Sequence, residues 1–230
     1  MVPLTHRRNG YAFLSGGGLE IGALHEPAEI PAGARVQYLD AMDETRAASL
    51  FREIPADKLV KVGFIGDLDH DGLGQFRDGE FDFVVMNHVL EHLANPVKAV
   101  REVFRICRQG GTVVIAIPDK DYTFDRGRDL TPWEHLWSDY VSDVTESSDE
   151  HYEDFFRSAA PHVFREPPEN LKIHIRLARE RREHAHVWNS ESFEEFLRTC
   201  FTHLGINADL RYKSVASENH VEYFAAWRKR

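Results

Sequence analysis

Imidazole titrates close to neutral pH, so histidines are the first residues here to weigh as proton acceptors or metal ligands. The chain has 13 of them in 230 residues. His88 and His92 stand one helical turn apart in the run Asn87-His88-Val89-Leu90-Glu91-His92-Leu93, a spacing that puts both on one face of a helix. A denser group, His135, His151, His162, His174, His184 and His186, lies among Trp133, Trp137, Tyr140, Tyr152, Phe155, Phe156 and Trp188. His184 and His186 share a face only in an extended segment. With His135 and Asp139 they have the donor types of a metal site, but pocket-lining or surface histidines are the commoner outcome, and no metal centre is expected. Asp67, Asp69 and Asp71 have the spacing of a calcium loop, yet the place that needs a closing Glu holds Asp78. A base that takes a hydroxyl proton is easier to motivate. His135, His92 and His186 are the candidates in that order, with Asp139 one turn beyond His135 to orient it.

Two acids stand where strands end. Leu19-Glu20-Ile21-Gly22 reads as a short strand closing in a tight turn, and Val36 to Asp40 as a second strand with an acid at its tip. A carboxylate there accepts from both hydroxyls of a ribose; the competing reading is a helix N-cap, for which Asp43 is also available. Lys61 to Ile65 reads as a third strand, followed by Gly66-Asp67-Leu68. Asp67 can accept from an exocyclic amine such as adenine N6, with Leu68 against the ring, or it can be a turn residue. The loop after the first strand has only Gly22, short of the three glycines of a dinucleotide fingerprint. That disfavours a nucleotide-dependent oxidoreductase. Glu20 and Glu26 would repel a pyrophosphate and suit a ligand with a ribose and a positive centre.

The elements that must hold these residues centre on Phe81 to Pro118. Phe81 to His88 is an apolar run without alternation, as in a strand buried on both faces. A helix from Val97 to Cys107 follows, opened by Pro96 and stopped by Gly110-Gly111, and then a second apolar run from Thr112 to Ile117. Open parallel sheets bind ligands at the polar strand ends, here Asn87-His88. Residues 1–10 read as a loose terminus, and Gly16-Gly17-Gly18, which precedes a strand, as a flexible lead-in. Asp43 to Glu53 reads as a helix ended by Pro55. Thr131-Pro132-Trp133-Glu134 reads as a helix start with a capping box. Further helices are expected over Tyr152 to Ala160, Asn170 to His184 and, capped by Ser190, Ser190 to Phe201. Ala208 to Val215 and Val221 to Trp227 read as an antiparallel pair at the sheet edge. Residues 119–188 are expected to form a helical lid that builds an acceptor pocket.

With 42% apolar and 29% charged residues the composition is that of a soluble globule, and a net charge of −10 makes nucleic acid a poor partner. The basic stretch Arg176 to Arg182 is interleaved with acids and reads as a solvated helix face. Cys107 and Cys200 read as buried free thiols of a reducing compartment. No signal peptide or membrane-spanning run is apparent, so the expectation is a cytoplasmic protein with no membrane partner.

Leu19-Glu20-Ile21-Gly22, Tyr38-Leu39-Asp40, Gly66-Asp67-Leu68, Phe81-Asp82-Phe83-Val84-Val85, His88 to Leu93 and Gly110-Gly111-Thr112-Val113-Val114, in that order, resemble a class I S-adenosylmethionine-dependent methyltransferase. The resemblance covers roughly residues 14–119 and, weakly, the end of the chain. His88 to Leu93 followed by Asn95-Pro96 is similar to the small-molecule branch of that superfamily. Leu24-His25-Glu26-Pro27 with the insertion is similar to a subgroup associated with glycan-modifying enzymes. The departure is Ala23-Leu24, which stands where the family carries more glycine.

The resemblance implies an α/β, Rossmann-like, doubly wound and mostly parallel seven-stranded sheet with an antiparallel last strand and a helical insertion before the final strands. It implies one domain over 1–230, with a core of 14–118 and 189–230 and a lid of 119–188. It implies S-adenosylmethionine as cofactor. Glu20, Gly22 and Ala23 would lie on its methionine and ribose side and Asp40 on the ribose hydroxyls. Ala41 and Met42 would lie against the adenine, Asp67 and Leu68 at the adenine edge, and Asn87 and His88 under the sulfonium. The expected reaction is methyl transfer to a small-molecule hydroxyl, such as that of a sugar or sugar nucleotide. The alternative is a non-catalytic binding module that grips a partner with the aromatic insertion.

Overall fold

The computed structural model describes residues 4–230. The unalternating apolar runs become the middle of a seven-stranded sheet of order β3-β2-β1-β4-β5-β7-β6. Its strands are β1 (Gly17–Ile21), β2 (Arg35–Asp40), β3 (Phe64–Ile65), β4 (Phe81–Asn87), β5 (Cys107–Pro118), β6 (Ala208–Ser214) and β7 (Glu222–Lys229). Strands β1 to β5 pair in parallel, and β7 runs antiparallel between β5 and β6. This is the Rossmann-like α/β sheet expected, with the antiparallel pair at its edge. The strand order reverses between β1 and β4, so a crevice opens at their C-terminal ends.

Successive side chains on β4, β5 and β7 point to opposite faces, and each face builds its own core. Val84, Met86, Val113, Ile115, Tyr223 and Trp227 go to one side. There they meet helix α3 (Pro96–Ile106) and helix α7 (Ser190–Leu204), whose Phe104 and Phe201 rings stand edge to face at 5.0 Å. Asn95 caps α3 by accepting from the Lys98 amide at 3.0 Å, and Pro96 takes the first turn. Phe83, Val85, Val114, Ala116, Phe224 and Ala226 go to the other side, against Tyr11 and Leu14. That face is covered by helix α1 (Thr5–Tyr11) and by Ala28, Ile30 and Ala34 of the helix-free β1–β2 crossover. Helix α2 (Glu44–Leu50) follows β2, and Asp43 caps it through the Arg46 amide at 2.8 Å.

Several expectations change at particular residues. The loose terminus is instead helix α1 from Thr5 onward, while residues 1–3 of that stretch lie outside the described residues. A Cβ on Gly10 would stand 2.3 Å from the Phe224 ring, so α1 lies directly on β7. The triple glycine is a packing requirement: a Cβ on Gly18 would stand 2.2 Å from the Phe83 ring, and Gly16 has φ +83°. Gly110-Gly111 does not stop α3, which ends at Ile106 and passes straight into β5.

The insertion has two parts. Helix α4 (Trp133–Val141) joins the main core through Leu136, with Trp133 and Trp137 stacked 5.4 Å apart. Helices α5 (Asp149–Ala159) and α6 (Pro168–Arg181) enclose a small core of their own from Tyr152, Phe155, Phe156, Val163, Ile175 and Ala178. The capping box at Thr131 is not formed, because its Oγ1 accepts from the Val187 amide at 2.9 Å. Asn189, not Ser190, caps α7; the Ser190 hydroxyl instead donates to Asp119 at 2.7 Å. No helix among the described residues is long and apolar enough to cross a membrane.

Candidate active site

A cavity of about 200 Å³ opens at the C-terminal ends of β1, β2 and β4. Gly22, Asp40, Ala41, Met42, Leu68 and His88, six of the ten residues expected at the cofactor, line it. Gly22 has φ +70°, and a Cβ there would lie 2.6 Å from Val89 Cγ2, so the turn that ends β1 requires glycine. Asp40 accepts from the Ala41 amide at 2.7 Å. Asp43 is the helix cap, so the Asp40 carboxylate at the tip of β2 has no capping role.

The other four expected residues stand outside the wall. Glu20 is buried and accepts from the Ala28 amide at 2.9 and 3.1 Å, which anchors the β1–β2 crossover. Burial pushes its carboxyl up to about 7, more than Ala28 and Arg7 draw it down. Ala23 sits in the turn after β1 and accepts from the Glu26 amide at 2.8 Å. Asn87 donates to the Tyr11 hydroxyl at 2.9 Å, and its buried Oδ1 has no hydrogen-bond partner among the described residues. Asp67 accepts from the Asp69 amide at 3.0 Å and pairs with Arg182. It is thus a turn residue and an ion-pair partner together.

Arg181 and Arg182 also line the cavity, reaching it from the end of α6. Arg182 has φ +54°. Its guanidinium reaches Asp67, and its carbonyl accepts from His92 Nδ1. Arg181 donates to the Leu50 carbonyl at 2.7 Å and to Glu53 at 2.6 Å, with its guanidinium over the Phe51 ring. The stretch expected to be a solvated helix face is therefore, at its end, a latch on the rim of the site. Sites for small molecules usually measure about 300–1,000 Å³, so the latched cavity is tight.

One group of residues escaped sequence reasoning. Glu222, at the start of β7, is fully buried and takes Arg7 Nε at 2.7 Å, His6 Nε2 at 2.6 Å and His88 Nε2 at 2.6 Å. Burial alone would raise its carboxyl; the bonds from Arg7, His6 and His88 outweigh that and hold it well below the usual carboxylate range. His88 stands at the tip of β4 with φ +52°, a conformation uncommon for a residue with a Cβ.

Of the three histidines expected as base, only His92 lines this cavity. Burial, and then the neighbouring His184, lower it to about 3. It is therefore neutral, with Nδ1–H donated to Arg182 and Nε2 free. His135 and His186 lie elsewhere, grouped with His151. Among the described residues, two sets of side chains offer metal-type donors within 4.8 Å of one another: Glu91 with His92 and His184, and His135 with His151 and His186. In the first, Glu91 is buried without a partner for either carboxylate oxygen among the described residues, and burial pushes it up to about 7. His184 there is held by Asp125 at 2.6 Å.

Residues 15–115 match the family model described as a methyltransferase domain. A 46-residue stretch is 46% identical to an uncharacterised protein of Methanocaldococcus jannaschii, covering 20% of this chain and 22% of that protein. A 108-residue stretch is 33% identical to an uncharacterised 37.1 kDa transposon protein of Streptomyces fradiae, covering 46% of this chain and 29% of that protein. The matched segments thus span less than a third of either relative. Among solved structures, a SAM-dependent methyltransferase from Aquifex aeolicus superposes with TM-score 0.50 at 11% identity, over 98% of this chain and 89% of that one. A Rhodobacter sphaeroides structure described as a putative Zn-dependent alcohol dehydrogenase gives 0.56 at 15% identity, over 97% and 89%. At such identities both show the fold alone. The domain match covers less than half of the chain, and the superpositions show a shared fold.

Proposed function

We propose that this protein methylates a hydroxyl of a small molecule, with sugars and sugar nucleotides as the first acceptor class to try. The observation that carries this reading is the His88–Glu222 pair: an imidazole in the cavity wall, 2.6 Å from a buried carboxylate. Bound along the strand tips, S-adenosylmethionine supplies a methyl group on a positively charged sulfur. In this reading Asp40 accepts from the ribose hydroxyls, and Met42 and Leu68 offer apolar surface to the adenine; all three line the cavity. With Nε2–H donated to Glu222, His88 keeps Nδ1 as its free acceptor. As the acceptor oxygen forms its bond to the methyl carbon and the carbon–sulfur bond breaks, the hydroxyl proton passes to Nδ1, and Glu222 stabilises the imidazolium.

Replacing a positioned base typically lowers turnover about 10²–10⁴-fold. His88→Ala should do so in a methyl-transfer assay on a sugar panel while cofactor affinity stays within a few-fold. Full turnover by a stably folded His88→Ala protein would remove the assignment. A second reading, a binding module without turnover, is favoured by the Arg182–Asp67 pair that narrows the cavity. Calorimetry separates the two: cofactor binding with no transfer to any acceptor supports the module.

A further inference from the structure

We propose that His135, His151 and His186 bind one divalent transition-metal ion, zinc by the donor set. The three come from separate elements. His135 is on α4, His151 on α5, and His186 on the extended segment before α7, whose His186 amide donates to the Glu91 carbonyl at 3.0 Å. The ion therefore fastens both parts of the insertion to the segment beside the cavity, independently of whether the protein transfers methyl groups.

Three observations carry the site. His186 is only 1% exposed, yet neither ring nitrogen has a hydrogen-bond partner among the described residues. Buried polar atoms in native proteins are nearly always paired, and with the Ala94 backbone as no more than a loose neighbour this ring is left open to a ligand. His135 Nε2 and His151 Nε2 are 3.0 Å apart, where only one of two neutral imidazoles can donate. One ligand nitrogen from each of the three rings lies within 4.8 Å of the others. Zinc–imidazole bonds of about 2.0–2.1 Å in a tetrahedron put ligand nitrogens about 3.3–3.4 Å apart, so an ion opens the 3.0 Å His135–His151 pair slightly and draws in any wider pair by about 1.5 Å at most.

The surroundings complete it. His151 Nδ1 lies 3.0 Å from the Ser148 hydroxyl, which leaves Nε2 as its ligating atom. Asp139 Oδ2 is 3.2 Å from His135 Nε2. His135 and His151 also line an open cleft with Thr131, Glu150 and Asp154, so the ion has a way in and its fourth position faces water. Imidazole-only donor sets suit zinc, copper or nickel and not magnesium or calcium, which take oxygen ligands.

The test uses untagged full-length protein, stripped with chelator and dialysed against Zn²⁺ or Co²⁺. Wild type should retain one ion per chain more than the His135→Gln/His151→Gln double variant. With Co²⁺ it should show the visible absorption of a tetrahedral site, which the variant lacks. At free zinc about a hundred times Kd, melting should rise by roughly 5–10 °C in wild type and not in the variant. His135 and His151 are partly exposed, so the variant should fold, and circular dichroism checks it. If it does not, His151→Gln alone should weaken uptake at least about tenfold. Equal uptake and equal melting shifts in wild type and variant would overturn the proposal. So would uptake that survives the double variant and disappears in His184→Gln, which places the ion on Glu91 and His92.

Discussion

Asp40 and Glu20 show how two carboxylates a strand apart come to different work. Asp40, at the tip of β2 and relieved of capping duty by Asp43, faces the cavity. Each charge-assisted bond to a ribose hydroxyl is worth about 1.5–3 kcal/mol before compensation. Asp40→Ala should therefore weaken S-adenosylmethionine binding at least about tenfold with the melting temperature little changed; unchanged affinity by calorimetry would cancel the ribose assignment. Glu20 points away, and its burial has a pH signature. The folded protein holds its proton up to about 7, whereas an ordinary Glu lets go near 4.5. The contribution to stability is full below 4.5 and declines as pH rises through 7, by up to about 3 kcal/mol. His92, lowered to about 3, works the other way, contributing above 6.5 and losing that as pH falls. Melting curves between about pH 5 and 8 should show a smaller decline for Glu20→Gln than for wild type; parallel curves would mean that Glu20 is ionised throughout. Gly22, Asp40 and Leu68 were legible in the sequence because strand-tip positions are set locally. The role of Glu20 was not, since its partner is a backbone amide of the crossover.

At the level of elements, α6 ends in a latch. Arg181 holds α2 and its following loop, and Arg182 holds Asp67 and, through its carbonyl, His92. Behind the latch lies the small core shared by α5 and α6. An element with few buried contacts of its own opens at low cost. Amides of residues 168–183 should exchange faster than those of β4, and Arg182→Ala should speed exchange there while leaving β4 alone. Cofactor should slow it in wild type, and equal protection in free and bound states would argue that the insertion is no lid. Periodicity made α3 and α7 readable, since each has a long apolar face. It missed α1, whose seven residues are held by Phe224 and Glu222 at the far end of the chain. It overextended β3, an edge strand of two residues. Neither outcome has a local signature, because the deciding contacts are tertiary.

Across the whole molecule the sheet order was readable from motif order, while the polar knot at its heart was not. His88 meets Glu222 across 134 positions, and Arg7 meets it across 215. Strand β7 is the last made, yet it belongs inside the sheet, between β5 and β6. On a ribosome adding about 5–20 residues per second, His88 waits roughly 7–27 s for Glu222. For roughly the last 5–21 s of that interval, once β5 is complete at Pro118, its free edge is an unpaired strand edge of the kind that draws neighbouring chains into aggregates. Strand β6, already made, must also stand off by the width of one strand until β7 slips in. Folding should therefore finish late and slowly, and the nascent chain, more than the mature one, is where a chaperone would matter.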